Sequence, residues 1–100
     1  MLKFKTSTNQ ITSSTFIQAS FESFIKGGGI GEYGERFIGY SKLENDIAVS
    51  SFLKANKTQL FTVESYNDQE VLEISLTNLS LINISLDAVG QSFRVTLEQR

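Results

Sequence analysis

The sequence predicts an α+β domain in which one N-terminal amphipathic helix, Thr12 to Lys26, packs on a mainly antiparallel meander sheet of about five to six strands. Three observations predict it. Apolar residues between Thr12 and Lys26 fall at spacings of three and four. From Arg36 onward, short apolar runs recur about every eleven residues with turn residues between them. Two of those runs alternate strictly between apolar and polar side chains. A chain of 100 residues closes one hydrophobic core, so residues 1–100 read as a single domain.

The chain opens with LKFKT, where apolar and basic residues alternate, and this reads as a short strand with Leu2 and Phe4 inward. After the polar stretch Ser7 to Gln10, the helical stripe consists of Phe16, Ile17, Phe21, Phe24 and Ile25. Ser13 or Ser14 can cap its start, Gly27 suits the left-handed position past its end, and Lys26 sits at the carbonyl end of its dipole. Three rings on one face require a flat apolar partner. The runs RFIGYSKL, IAVSSFL, QLFTVESY, EVLEISLT, LINISLDA and SFRVTLEQ supply it as strands. Leu72, Ile74 and Leu76 alternate with Glu73, Ser75 and Thr77, and Phe93, Val95 and Leu97 with Arg94, Thr96 and Glu98. One face of the sheet is thus apolar and the other wet.

The alternation changes phase between Leu76 and Leu81, which places a turn or bulge at Asn78. Asp46 to Asn56 has two readings. It is either a helix capped by Asp46 that buries Ala48, Val49, Phe52 and Leu53, or a strand, and the β-branched start and even spacing favour the strand. The expected core comprises Phe4, Ile17, Phe21, Phe24, Ile25, Phe37, Val63, Leu72, Ile74, Leu76, Ile84, Leu86, Phe93, Val95 and Leu97.

Composition excludes much chemistry. Without Cys there are no disulfides and no thiolate-bound metals. Without His the usual general base, the commonest metal ligand and the Ser-His and Cys-His nucleophiles are all missing. Proton transfer near neutral pH would fall to a strongly shifted carboxylate or lysine. The expectation is a protein that is not an enzyme and holds no metal and no cofactor. Nine basic residues are scattered singly among eleven acidic ones, for a net charge of -2, so no nucleic acid is expected as a partner. No run approaches the roughly 20 apolar residues of a membrane helix, and MLKFKTSTNQ has no apolar signal segment. A cytoplasmic protein without a membrane partner is expected, and the N-x-S/T triplets at Asn56, Asn78 and Asn83 are read as chance.

KGGGIGEYGERF, Lys26 to Phe37, holds five of the seven glycines and the spacing G-x-G-x-x-G at Gly29, Gly31 and Gly34. A dinucleotide fingerprint needs a strand before the glycines and a helix directly after them. The predicted order here is the reverse, and Glu32 and Glu35 would set negative charge beside a phosphate. The stretch is therefore read as a helix stop and an exposed loop, with Gly29, Gly31, Glu32, Tyr33, Gly34, Glu35 and Tyr40 as the candidate binding residues.

Glu44, Asp46, Glu64, Asp68, Glu70 and Glu73 extend the acidic bias through the middle of the chain, a surface that would steer a basic protein. The expected function is a small acidic protein-binding module, such as an inhibitor or immunity-type protein that blocks a partner protein with a basic surface. A second expectation is a structural subunit of a homo-oligomer or virion, held by its strand edges. EVLEISLTNLSLINISL, β-prone and poor in charge, is the stretch that would be adhesive if its edge were open. A third is a small-molecule-binding domain with its pocket between helix and sheet.

Overall fold

Among the described residues, 1–26 and 31–100, the computed structural model has seven strands and one helix. They are β1 (Leu2–Lys5), β2 (Gln10–Ser13), β3 (Gln18–Ile25), β4 (Tyr33–Lys42), α1 (Leu43–Ala55), β5 (Phe61–Tyr66), β6 (Leu72–Leu86) and β7 (Ser92–Gln99). One sheet contains all the strands in the order β2-β1-β5-β6-β7-β4-β3, with every neighbouring pair antiparallel. The α+β class holds. The sheet has seven strands instead of five or six, and the helix lies mid-chain instead of at the N-terminus.

The expected helix Thr12 to Lys26 is replaced by the end of β2, a link Ser14 to Ile17, and β3. Its Thr, Ile and Phe side chains suit a pleated surface, and β4 offers β3 a full ladder from Gln18↔Tyr40 to Ile25↔Tyr33. The three-four spacing of the stripe is coincidental. Phe21 packs on Phe37 on the inner face, with ring centroids 5.2 Å apart, while Phe24 lies on the outer face against Arg36. Gly27 falls outside the described residues.

The helix forms instead at the ambiguous segment. Ala48, Leu53, Lys54 and Ala55 are good helix formers, and Val49 and Leu53, four apart, bury one face. Asp46 has non-helical torsions (φ -133, ψ 34), so the first turn is kinked and the regular helix begins after it. At the other end Asn56 turns both its backbone N–H (3.1 Å) and its Nδ2 (2.8 Å) onto the Phe52 carbonyl. The preference for a strand here failed because the even apolar spacing continues into a four-residue spacing at Val49 and Leu53.

The sheet is rolled, and two facts require it. Ser13 and Gln18 belong to strands at opposite edges but are joined by four residues, a reach of about 18 Å. A flat seven-stranded sheet would part its edges by roughly 29 Å. In addition, the rings of Phe4 in β1 and Phe37 in β4 meet with centroids 5.6 Å apart, although three strands separate them in the hydrogen-bonded order. The bend lies in β6, whose first half pairs with β5 and whose second half pairs with β7. Register shifts interrupt both ladders, between Phe61 and Val63 and between Leu81 and Asn83, and Asn78 adopts a left-handed φ of 58. The β-prone stretch is therefore an interior strand, with Asn78 at a bulge inside it.

Between the two halves lies the core: Leu2, Phe4, Phe37, Val49, Leu53, Phe61, Val63, Leu76, Leu79, Phe93, Val95 and Leu97 are buried. Phe16, from the edge-to-edge link, inserts its ring among Phe4 (5.5 Å), Phe93 (5.8 Å) and Phe37 (6.4 Å). Of the expected core, Phe21, Phe24 and Ile84 are only half-buried. Ile17, Ile25, Leu72, Ile74 and Leu86 are exposed, a correction to that list. The last three sit toward the two ends of the 15-residue β6, where its inner face is uncovered.

Candidate functional site

The β3–β4 hairpin projects past the core. Moving outward along its inner face, Phe21 opposes Phe37, then Ser23 opposes Glu35, then Ile25 opposes Tyr33. Phe37 is buried, Ser23 and Glu35 are exposed, and Ile25 and Tyr33 are 67% and 66% exposed. The Lys26 N–H donates to the Glu32 carbonyl at 3.1 Å in the same register, so even-numbered β3 residues turn their backbone groups toward β4. Ile25 and Tyr33 are thus a non-hydrogen-bonded pair, the closer of the two kinds, and their side chains form one apolar step.

The outer face of the same hairpin is tightly dressed. The Phe24 ring and the Lys26 stem lie over Gly34, where an added Cβ would come within 2.9 Å of each. The Arg36 guanidinium sits 4.4 Å from the Phe24 ring centroid and bridges Glu22 (3.1 Å) and Glu98 (2.9 Å). The hydrogen bond to Glu22 is the largest cause holding Arg36 above its already high ordinary pKa; desolvation opposes it, and the hydrogen bond to Glu98 with the two negative charges outweighs that opposition.

Of the sequence-derived site residues, Gly29 lies outside the described residues. Gly31 is a turn residue with φ 76, which its lack of Cβ permits. Glu32 and Tyr33 are exposed at the hairpin end, and Glu35 points from the same face as Tyr33 while its backbone N–H bonds to Gln99 Oε1 at 2.9 Å. Gly34 is a buried packing position. Tyr40 does not join them: it is seven residues along β4, roughly 23 Å away and on the opposite face. The loop follows a strand, not a helix, so its helix-stop reading is also corrected.

The sequence reading missed the most tightly bonded carboxylate in the fold. Asp46 is buried and accepts hydrogen bonds from Ser13 Oγ (2.5 Å), Thr15 Oγ1 (2.8 Å) and Ser41 Oγ, tying the edge-to-edge link to the β4–α1 junction. No spacing in the sequence marks it, because its partners lie 33, 31 and 5 residues away. Its three side-chain partners are all hydroxyls, so the carboxylate pins the β2 end, the edge-to-edge link and the end of β4 together.

A cleft of about 510 Å³ lies at the same junction, bounded by Lys42, Leu43, Glu44, Ile47 and Gln91. It opens to solvent beside the helix, not between helix and core. Among the described residues no group of three or more carboxylates is placed to hold a metal ion. Comparison with protein-family models, curated proteins and solved structures finds no match to this chain.

Proposed function

We propose that this chain is a small acidic protein-binding module that docks a partner protein through the tip of its β3–β4 hairpin. One observation carries the reading: two large apolar side chains, Ile25 and Tyr33, stand directly opposite each other, largely exposed, with Glu35 on the same face and exposed Glu32 next to Tyr33 in the chain. An apolar centre with a charged rim is the anatomy of a protein interface, and Tyr adds contact area at low entropic cost. The carboxylates select a partner with a basic surface and raise its rate of encounter. Blocking that partner's own site, as an inhibitor or immunity-type protein does, is the narrower form of the proposal. A cytoplasmic setting belongs to the same proposal; no helix among the described residues is long and apolar enough to cross a membrane.

A photo-crosslinking amino acid placed at Tyr33, and as a control at exposed Lys54 on α1, tests this in cells of the native host. The expected result is a discrete adduct with a basic protein from position 33 only, weakened by salt and lost in Glu32→Lys/Glu35→Lys. Adducts of equal yield from both positions, or none from 33, would overturn it.

A further inference from the structure

The outer edge of β3 carries an inference beyond the hairpin tip. β3 pairs with β4 alone, and it ends the sheet. Because the even-numbered residues of β3 bond to β4, the backbone N–H and C=O groups of Ala19, Phe21, Ser23 and Ile25 point outward from the edge. Inside its eight residues β3 has no Pro, Lys or bulge, and Glu22 is its one charged side chain, so it has few of the usual protections of an exposed edge; near its start Ala19 borders a small cleft with Met1, Ser13 and Ser65.

We infer that this edge takes a second copy of the same chain, β3 against β3 in antiparallel register about a two-fold axis at Phe21. A two-fold axis across a continuous sheet places residues of the same face opposite each other, so the axis must pass through a residue of β3. An axis at Glu22 sets two carboxylates face to face, which is repulsive. An axis at Ser20 leaves Ile17 opposite Ser23 and gives Ile25 no apolar partner. Of these three, the axis at Phe21 is the one that sets the two exposed isoleucines against each other. Ile25 of one copy then opposes Ile17 of the other, Ala19 opposes Ser23, Glu22 opposes Ser20, and the two Phe21 residues meet at the axis as a hydrogen-bonded pair.

Ile17 and Ile25 are the exposed large apolar residues of this segment, 52% and 67% exposed in the single chain, and this register covers both. The edge thus matches itself in the outward backbone groups of Ala19, Phe21 and Ser23 and in its exposed isoleucines, and sets no two carboxylates face to face; the Ile17 N–H itself is turned to the Tyr40 carbonyl at 2.8 Å, so Ile17 contributes its side chain only. Ile25 is shared between this edge and the hairpin tip, while Glu32, Tyr33 and Glu35 remain free in such a dimer.

The register is tested with the chain's own lack of Cys. Ala19→Cys/Ser23→Cys places two thiols across each hydrogen-bonded pair, at a Cα separation of about 5.5 Å that a disulfide spans. Mild oxidation is expected to trap a covalent species of twice the 11.2 kDa chain mass. By light scattering, the unmodified protein is expected to move toward that doubled mass with rising concentration. Ile25→Lys and Ile17→Glu are each expected to shift it to the monomer, and the double variant to restore the dimer through two Lys–Glu pairs. Both positions are exposed, so circular dichroism should show the fold unchanged.

A protein that stays monomeric at millimolar concentration and does not crosslink would overturn the inference, as would a dimer indifferent to Ile25→Lys. A monomer that still gives the adduct from position 33 would refute the edge pairing and leave the hairpin-tip reading standing. Dimerisation without that adduct would do the reverse.

Discussion

Asp46 does at one atom group what several elements need: its carboxylate holds hydroxyls from β2, from the link to β3 and from the end of β4. Deleting one of these donors leaves a charged acceptor short of a bond in a buried place. Ser41→Ala is therefore expected to cost about 1–3 kcal/mol in urea unfolding, and Asp46→Ala more, because it strands three hydroxyls at once. Gly39 is a second small residue with a large consequence. A Cβ there would stand 2.6 Å from the Phe16 ring and 2.8 Å from the Phe37 ring. Gly39→Ala should lower the urea midpoint by the equivalent of about 1–3 kcal/mol, through displacement of Phe16. Asp87 supplies a pH signature. The Gln91 backbone N–H, donating at 2.9 Å, holds its carboxyl below the ordinary 3.8, so its stabilisation is complete above that value and is lost as pH falls through the lower folded value. Asp87→Asn is expected to flatten the acid limb of a stability profile measured between about pH 2 and 5.

At the scale of elements, burial separates substitutions that the alternation pattern alone would rank equally. Phe21→Ala removes a half-buried ring packed on Phe37 and should cost about 2–3 kcal/mol, less than a fully enclosed Phe. Ile74→Ala, at an exposed end of β6, should cost under about 1 kcal/mol by the same denaturant titration. Both strictly alternating stretches are strands, but the inward row was legible only in one: Phe93, Val95 and Leu97 are buried while Leu72 and Ile74 are exposed, and the bulge at Asn78 follows from the phase change in its neighbours. The Thr12 to Lys26 segment was not, because Phe and Ile at spacings of three and four satisfy a helix locally, while the ladder that claims them is contributed by β4. Likewise α1 was hidden because its decisive contacts, from Asp46 to Ser13 and Thr15, join residues more than thirty apart. Half of the candidate site was readable, as an exposed Glu-Tyr-Glu tip. Ile25, its apolar half, was assigned to a core stripe on a helix that does not form.

For the molecule as a whole, the pairing order sets the cost of assembly. β1 pairs with β2 locally but also with β5, where Leu2 meets Ser65, and the edges of the sheet come from residues adjacent in sequence. Most of the ladder must therefore close long loops before it gains burial. Folding is expected on the millisecond-to-second scale typical of sheets with non-local pairing, as read by stopped-flow fluorescence of the tyrosines. The two halves share β6, so a break there should be felt everywhere: unfolding monitored on the β3–β4 side and on the β1–β5 side should coincide.

The position of β7 carries the same logic into biosynthesis. It follows the other six described strands in sequence but lies inside the sheet, and it is the strand by which the β3–β4 hairpin joins the other strands. While the chain is being made, the hairpin has no sheet to join, and the second half of β6, Leu79 to Leu86, has no partner for its edge. Only when residues 92–99 leave the ribosome can the roll close around Phe16. Nascent chains arrested before Ser92 should accordingly be open to proteases and chaperones along their whole length, and release of those eight residues should convert them in one step.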